Sequence, residues 1–154
     1  MFVENELKEI KKFIKGSSKA SRIYLGADSQ RFKKNKIWYA RHTVCVIIHK
    51  DGSKGAKIFG YSEVERDYDA KLGKPIQRML METQKVIELF QALEKVIKNR
   101  DVEIHLDINS VKGCGSHAAM GQALGYVQGM TGVTPKFKPE AFAATHCADR
   151  GGDW

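Results

Sequence analysis

A chain of 154 residues with 42% hydrophobic and 29% charged residues suits one soluble domain able to bury a core without staples. That balance excludes a disordered tail and a fibrous repeat. No apolar run approaches the roughly 20 residues of a membrane-spanning helix. A formal net charge of +8 points to a polyanionic partner, nucleic acid first, with a generic lysine-rich surface as the ordinary alternative.

Residues 4–15 read as an amphipathic helix, because Val3, Leu7, Ile10 and Ile14 recur at helical spacing between lysines. Gly16 to Ser21 then reads as a loop. Ile23 to Asp28 is a short apolar run and predicts a strand. Arg31-Phe-Lys-Lys-Asn-Lys36 reads as a basic hairpin connection. Ile37 to His49, rich in Val, Ile, Trp and Tyr, predicts a second strand. Asp51-Gly52 is a turn signal leading to a third strand over Ala56–Val64.

Residues 65–74 are a polar connection. Pro75 suits a helix's first turn, and the stripe Ile76, Met79, Leu80, Thr83, Val86, Ile87, Phe90 and Ile97 makes the following helix the clearest in the chain. Val102–Ile108 predicts a strand. Residues 116–130 predict a helix despite Gly121, Gly125 and Gly129, which form a side-chain-free stripe for packing on the sheet or for a dimer seam. Thr134–Phe137 predicts a short strand, and Ala141–Arg150 a last helix stopped by Gly151-Gly152. Three strands in a meander, then helix, strand, helix, strand and helix, define an α/β domain with a mixed sheet. The strand at 102–108 should lie parallel beside the first, since helical crossovers return the chain parallel.

Three cysteines, Cys45, Cys114 and Cys147, are widely spaced without a C-x-x-C pair, which excludes a zinc ribbon or thioredoxin-like site. Free thiols and the charged start Met1-Phe-Val-Glu-Asn-Glu suggest a reducing, cytoplasmic location. Lys112-Gly-Cys-Gly115 lacks the Gly-Lys-Ser/Thr of a phosphate loop. His42, His49 and His117 have no metal-ligand spacing.

Four segments each offer one carboxylate for a divalent-metal site. Asp28 ends a strand after the small residues Gly26 and Ala27, although an Asp opening a turn is common. Glu82 lies on the flank of the long helix's stripe. It could equally pair with Arg78 one turn back, and Glu94 lies closer still to the stripe. Asp107 is the strongest, because it sits with His105 on one face of a strand whose other face is Ile104, Leu106 and Ile108. An Asp within an apolar strand is costly unless it has a partner or a use.

Asp149 lies three residues after His146, so a helix puts imidazole and carboxylate on one side. The ordinary alternative is a solvated helix end with Asp149 beside Arg150. Cys147 adjoins His146, but neighbours on a helix point roughly 100° apart, which disfavours a Cys–His nucleophile. Hard cations such as Mg²⁺ take oxygen ligands, and two of them roughly 4 Å apart can clamp a phosphodiester displacement. Four carboxylates from four elements would hold them.

The segments Gly26-Ala-Asp28-Ser-Gln, His105-Leu-Asp107-Ile-Asn and Lys138-Pro-Glu-Ala-Phe-Ala-Ala-Thr-His-Cys-Ala-Asp149-Arg resemble the YkuK-type family of the ribonuclease H-like superfamily, over nearly the whole chain from about Ile23. The resemblance implies one ribonuclease H-like domain over 1–154, with a five-stranded mixed sheet of order 3-2-1-4-5 flanked by helices. It implies a metal-dependent nuclease cutting nucleic-acid phosphodiester bonds with two Mg²⁺ or Mn²⁺ ions. Asp28, Glu82, Asp107 and Asp149 take the places of the superfamily's catalytic carboxylates, and His146 resembles the His-x-x-Asp of junction resolvases. The last helix ends sooner than in larger relatives. Arg31, Lys33, Lys34 and Lys36 would meet the phosphate backbone of RNA, DNA or a hybrid. The alternative is a non-catalytic nucleic-acid-binding module of the same fold, and a homodimer through the glycine stripe is a third reading. No membrane partner is expected.

Overall fold

The computed structural model describes residues 1–52, 54–68, 76–109, 117–150 and 154. Pro75, Lys112–Gly115 and Gly151-Gly152 lie outside these residues. In chain order the elements are α1 (Glu4–Gly16), β1 (Arg22–Lys34), β2 (Ile37–His49), β3 (Ala56–Arg66), α2 (Ile76–Ile97), β4 (Asp101–Asn109), α3 (Met120–Thr131), β5 (Lys136–Lys138) and α4 (Phe142–Arg150), with short 3₁₀ turns at Lys50–Gly52 and His117–Ala119. The sheet order is β3-β2-β1-β4-β5, the expected 3-2-1-4-5. β1, β2 and β3 form an antiparallel meander, and β4 lies parallel to β1.

Strand alternation assigns the two faces. Ile23, Leu25 and Ala27 of β1, Val44, Val46 and Ile48 of β2, and Ile104, Leu106 and Ile108 of β4 point to the larger core. There they meet Val86, Leu89, Phe90 and Leu93 of α2, Ile10 and Ile14 of α1, and Ala123 and Val127 of α3. The other face carries Tyr24, Cys45 and Ile47, covered by Ala143 and Cys147 of α4 and by Trp154. Gly26 is required here, since a Cβ would come within 2.8 Å of the backbone carbon of Ala143. His105 anchors the same helix by accepting the Ala143 N–H at Nδ1, 3.0 Å away.

Three expectations change. The basic stretch after Asp28 is not a loop: β1 runs on to Lys34, and the connection is Asn35-Lys36 alone, both at positive φ. Two left-handed residues give the turn twist that suits a tight hairpin. The glycine stripe of α3 does not pack on the sheet. A Cβ at Gly121, Gly125 or Gly129 would meet nothing within 4 Å, and α3 packs through Ala123 and Val127 instead. Cys45 and Cys147 are joined in a disulfide tying β2 to α4, which overturns the free-thiol reading and its argument for a reducing compartment. It also takes Cys147 out of any pairing with His146. No helix among the described residues is long and apolar enough to cross a membrane.

Candidate metal centre

The ladder between β1 and β4 runs from Arg22 opposite Asp101 to Ala27 opposite Leu106. Asp28 and Asp107 are the next residues on each strand, so both carboxylates stand where pairing ends. Glu82 arrives from α2. Oxygens of Asp28, Glu82 and Asp107 lie within 4.8 Å of one another. Glu82 and Asp28 are buried, and Asp107 is partly so. Glu94, the rival on the same helix, is exposed, so packing rather than sequence distinguishes the two.

Such a cluster is electrostatically unfavourable alone. Burial, then the hydrogen bond and like charge of Asp107, push the Asp28 carboxyl up to about 8. Burial raises Glu82 well above the usual carboxylate range, with Asp107 and Asp28 adding to it, against the Ser29 hydrogen bond and the Arg78 charge. One Glu82 oxygen accepts the Ser29 hydroxyl, while Oε2 is buried without a hydrogen-bond partner among the described residues. Arg78 does not form the simple helical pair with Glu82. It donates through Nη1 to the Ser29 carbonyl at 3.0 Å and to Oγ at 2.7 Å, fixing the hydroxyl that holds Glu82.

Lys138 is a member of this site that sequence reasoning quoted without a role. Its ammonium pairs with Asp107 from β5. Burial disfavours that charge, but the bond to Asp107 and the field of the three carboxylates outweigh it and hold the ammonium above its ordinary value. The only early signal was its place before Pro139.

The other predicted residues are not members of this group of three. Asp149 is exposed on α4 and is not among the oxygens within 4.8 Å. His146 is half-buried on that helix, its Nε2 without a hydrogen-bond partner. Arg31 is paired with the buried Asp67, Nε to Oδ2 2.6 Å. Lys33 lies over the Trp38 ring at 5.5 Å. Lys34 is exposed, and Lys36 sits in the turn.

A hard cation fits this donor set. The ligands are all oxygen, two of the three carboxylates gain protons in its absence, and an unpartnered buried oxygen faces no donor. The fold is a mixed α/β sheet with one acidic group on each of two parallel neighbours where their pairing ends, and a third on the covering helix. The ribonuclease H-like family model matches residues 5–152, and the chain belongs to that family. No curated protein and no solved structure matches it.

Proposed function

We propose that this protein is a divalent-metal-dependent nuclease of the YkuK type that hydrolyses nucleic-acid phosphodiester bonds by a two-metal-ion mechanism. The observation that carries the reading is the convergence of Asp28, Glu82 and Asp107 within 4.8 Å at the end of the β1–β4 ladder. A carboxylate cluster costs stability and repels a phosphate backbone unless cations join it. Mg²⁺ or Mn²⁺ would supply an activated water and stabilise charge on the leaving oxygen.

The chain's own groups divide the remaining work. Asp28, Glu82 and Asp107 hold the cations, and Asp149 is the fourth carboxylate in this reading. Ser29 and Arg78 orient Glu82, so it presents its free oxygen rather than rotating away. Lys138 neutralises Asp107 and offers an ammonium to a phosphate oxygen. His146 is the proton carrier in this reading. The partner is RNA, DNA or a hybrid, in keeping with the net charge of +8. A homodimer through the outward glycine stripe of α3 is a separate proposal that gel filtration tests.

The decisive experiment incubates labelled single strands, duplexes, hybrids and junctions with Mg²⁺, Mn²⁺ or EDTA. Cleavage should need metal, and Asp107→Asn should abolish it while the fold survives. A protein that binds these substrates but cuts none under any condition would be the non-catalytic binding module instead.

A further inference from the structure

We infer that the end of the α4 face of the sheet that no described residue covers is a stacking platform for single-stranded nucleic acid, leading unpaired bases to Asp28. Alternation places Tyr24, Gly26, Asp28, Gln30, Phe32 and Lys34 on one face of β1. The register puts Cys45, Thr43, Arg41 and Tyr39 of β2 beside Gly26, Asp28, Gln30 and Phe32. α4 covers this face over Tyr24, Gly26 and Cys45. Beyond Asp28, Gln30 and Arg41 are exposed and Phe32 and Tyr39 half-exposed.

The two rings stack at 5.7 Å and 23°, and the Arg41 guanidinium lies 5.8 Å from the Phe32 centroid. Val64, opposite Arg41 on β3, is 51% exposed. Arg66, opposite Tyr39, is exposed and lies over the Tyr68 ring at 5.1 Å. The platform is therefore two rings, an arginine over one of them and cations around them.

Charge selects the occupant. Over these rows the platform face carries Lys34, Arg41 and Arg66, and no carboxylate beyond Asp28. The opposite face over the same rows mixes Glu63 and Glu65 with Arg31 and Lys33. The platform face thus offers a polyanion cations with no carboxylate set among them, whereas the other face interleaves both signs. Aromatic faces stack any unpaired base, whereas bases inside a duplex are already stacked on each other. With a rise of about 3.3 Å per residue, Phe32 lies roughly 13 Å along the strand from Asp28. That distance is within reach of about four nucleotides, the short end of single-strand sites. The inference rests on the nuclease reading for the event at Asp28, but not for the binding.

The test measures binding in EDTA, where cleavage is silent, by fluorescence anisotropy of an end-labelled oligonucleotide, single-stranded or annealed. The wild type should prefer the single strand. Phe32→Leu and Tyr39→Leu should each weaken single-strand binding about ten-fold, from a stacking loss of about 1–3 kcal/mol per base, with little effect on duplex. Trp38→Leu, on the opposite face, should change neither. Arg41→Gln removes the guanidinium and leaves both rings, so it keeps the test valid if a ring variant fails to fold. Equal affinity for single strand and duplex, or folded ring variants with wild-type affinity, overturns the platform. Ring-dependent binding without any metal-dependent cleavage supports the platform and sinks the nuclease reading. Cleavage that needs Asp107, with binding indifferent to the rings, does the reverse.

Discussion

Replacing Asp28 by Asn should stabilise the metal-free protein. The carboxyl ionises near 3.8 in an unstructured chain but only near 8 in the fold, because it is buried against Asp107. A raised carboxylate contributes stability that is full below its unfolded value and is lost as pH rises through its folded one. Each unit of difference is worth about 1.4 kcal/mol, so at neutral pH Asp28 costs the fold up to about 4 kcal/mol. The cleanest window lies between about 6.5 and 8. Below about 6.5 the depressed histidines His42 and His105, both lowered to about 4, begin to act in the opposite sense.

Within that window the wild type in EDTA should lose about 2 kcal/mol as pH rises, and Asp28→Asn should lose less. At neutral pH the variant should melt about 10 °C higher, taking about 2–4 °C per kcal/mol for a chain of this size. Mn²⁺ at about a hundred times its dissociation constant should close most of the gap, since it adds about 2.7 kcal/mol to the form that binds it. Thermal melts at several pH values, with EDTA or Mn²⁺, read all three effects. An Asp28→Asn protein that melts at or below the wild type in EDTA, with an unchanged pH slope, refutes the account of a strained, metal-seeking cluster.

Gly26→Val drives side-chain atoms into the Ala143 backbone and should cost about 1–3 kcal/mol or more in denaturant melts; a neutral result would mean that α4 yields freely. The Cys45–Cys147 bond closes a span of 102 residues, so reductant or Cys147→Ser should cost about 4–5 kcal/mol by the loop-entropy model, and an unshifted midpoint would contradict it. His105 is buried and accepts the Ala143 N–H, so its imidazole must stay neutral in the fold. The unfolded chain takes up that proton below about 6.5 and the native one only near 4, so stability falls as pH falls between them. His105→Asn keeps an acceptor without titrating, and its stability relative to wild type should improve over that interval by up to about 3 kcal/mol, as read from paired urea midpoints.

The sheet was legible because its strands are locally consistent: alternating β4, the branched run of β2 and the long stripe of α2 each announce their type. Asp107 was legible for the same reason, as a carboxylate standing where local pattern asks for an apolar residue. Glu82 could not be separated from Glu94 by helical angle. Only the crossing of α2 over the β1–β4 gap decides which one is buried. The Asn35-Lys36 turn was hidden because Lys is an unusual occupant of positive φ, so a basic strand read as a basic loop. That one misreading concealed the sorting of Lys34 and Phe32 from Arg31 and Lys33 onto opposite faces. The disulfide and the Lys138–Asp107 pair join residues far apart in sequence, and no local pattern encodes them.

Asp28 pairs with nothing local on the side where its carboxylate companions stand. Its strand waits for β4, and the ammonium beside Asp107 comes only with β5. At about 5–20 residues per second, a ribosome needs roughly 5 to 20 s to pass from Asp28 to Lys138. For most of that interval, until β4 follows, the growing polypeptide holds a β-meander and, later, a lone helix, but not the three carboxylates together. The order of residues acts as a delay, bringing the acidic cluster and then its balancing ammonium together only late in the chain.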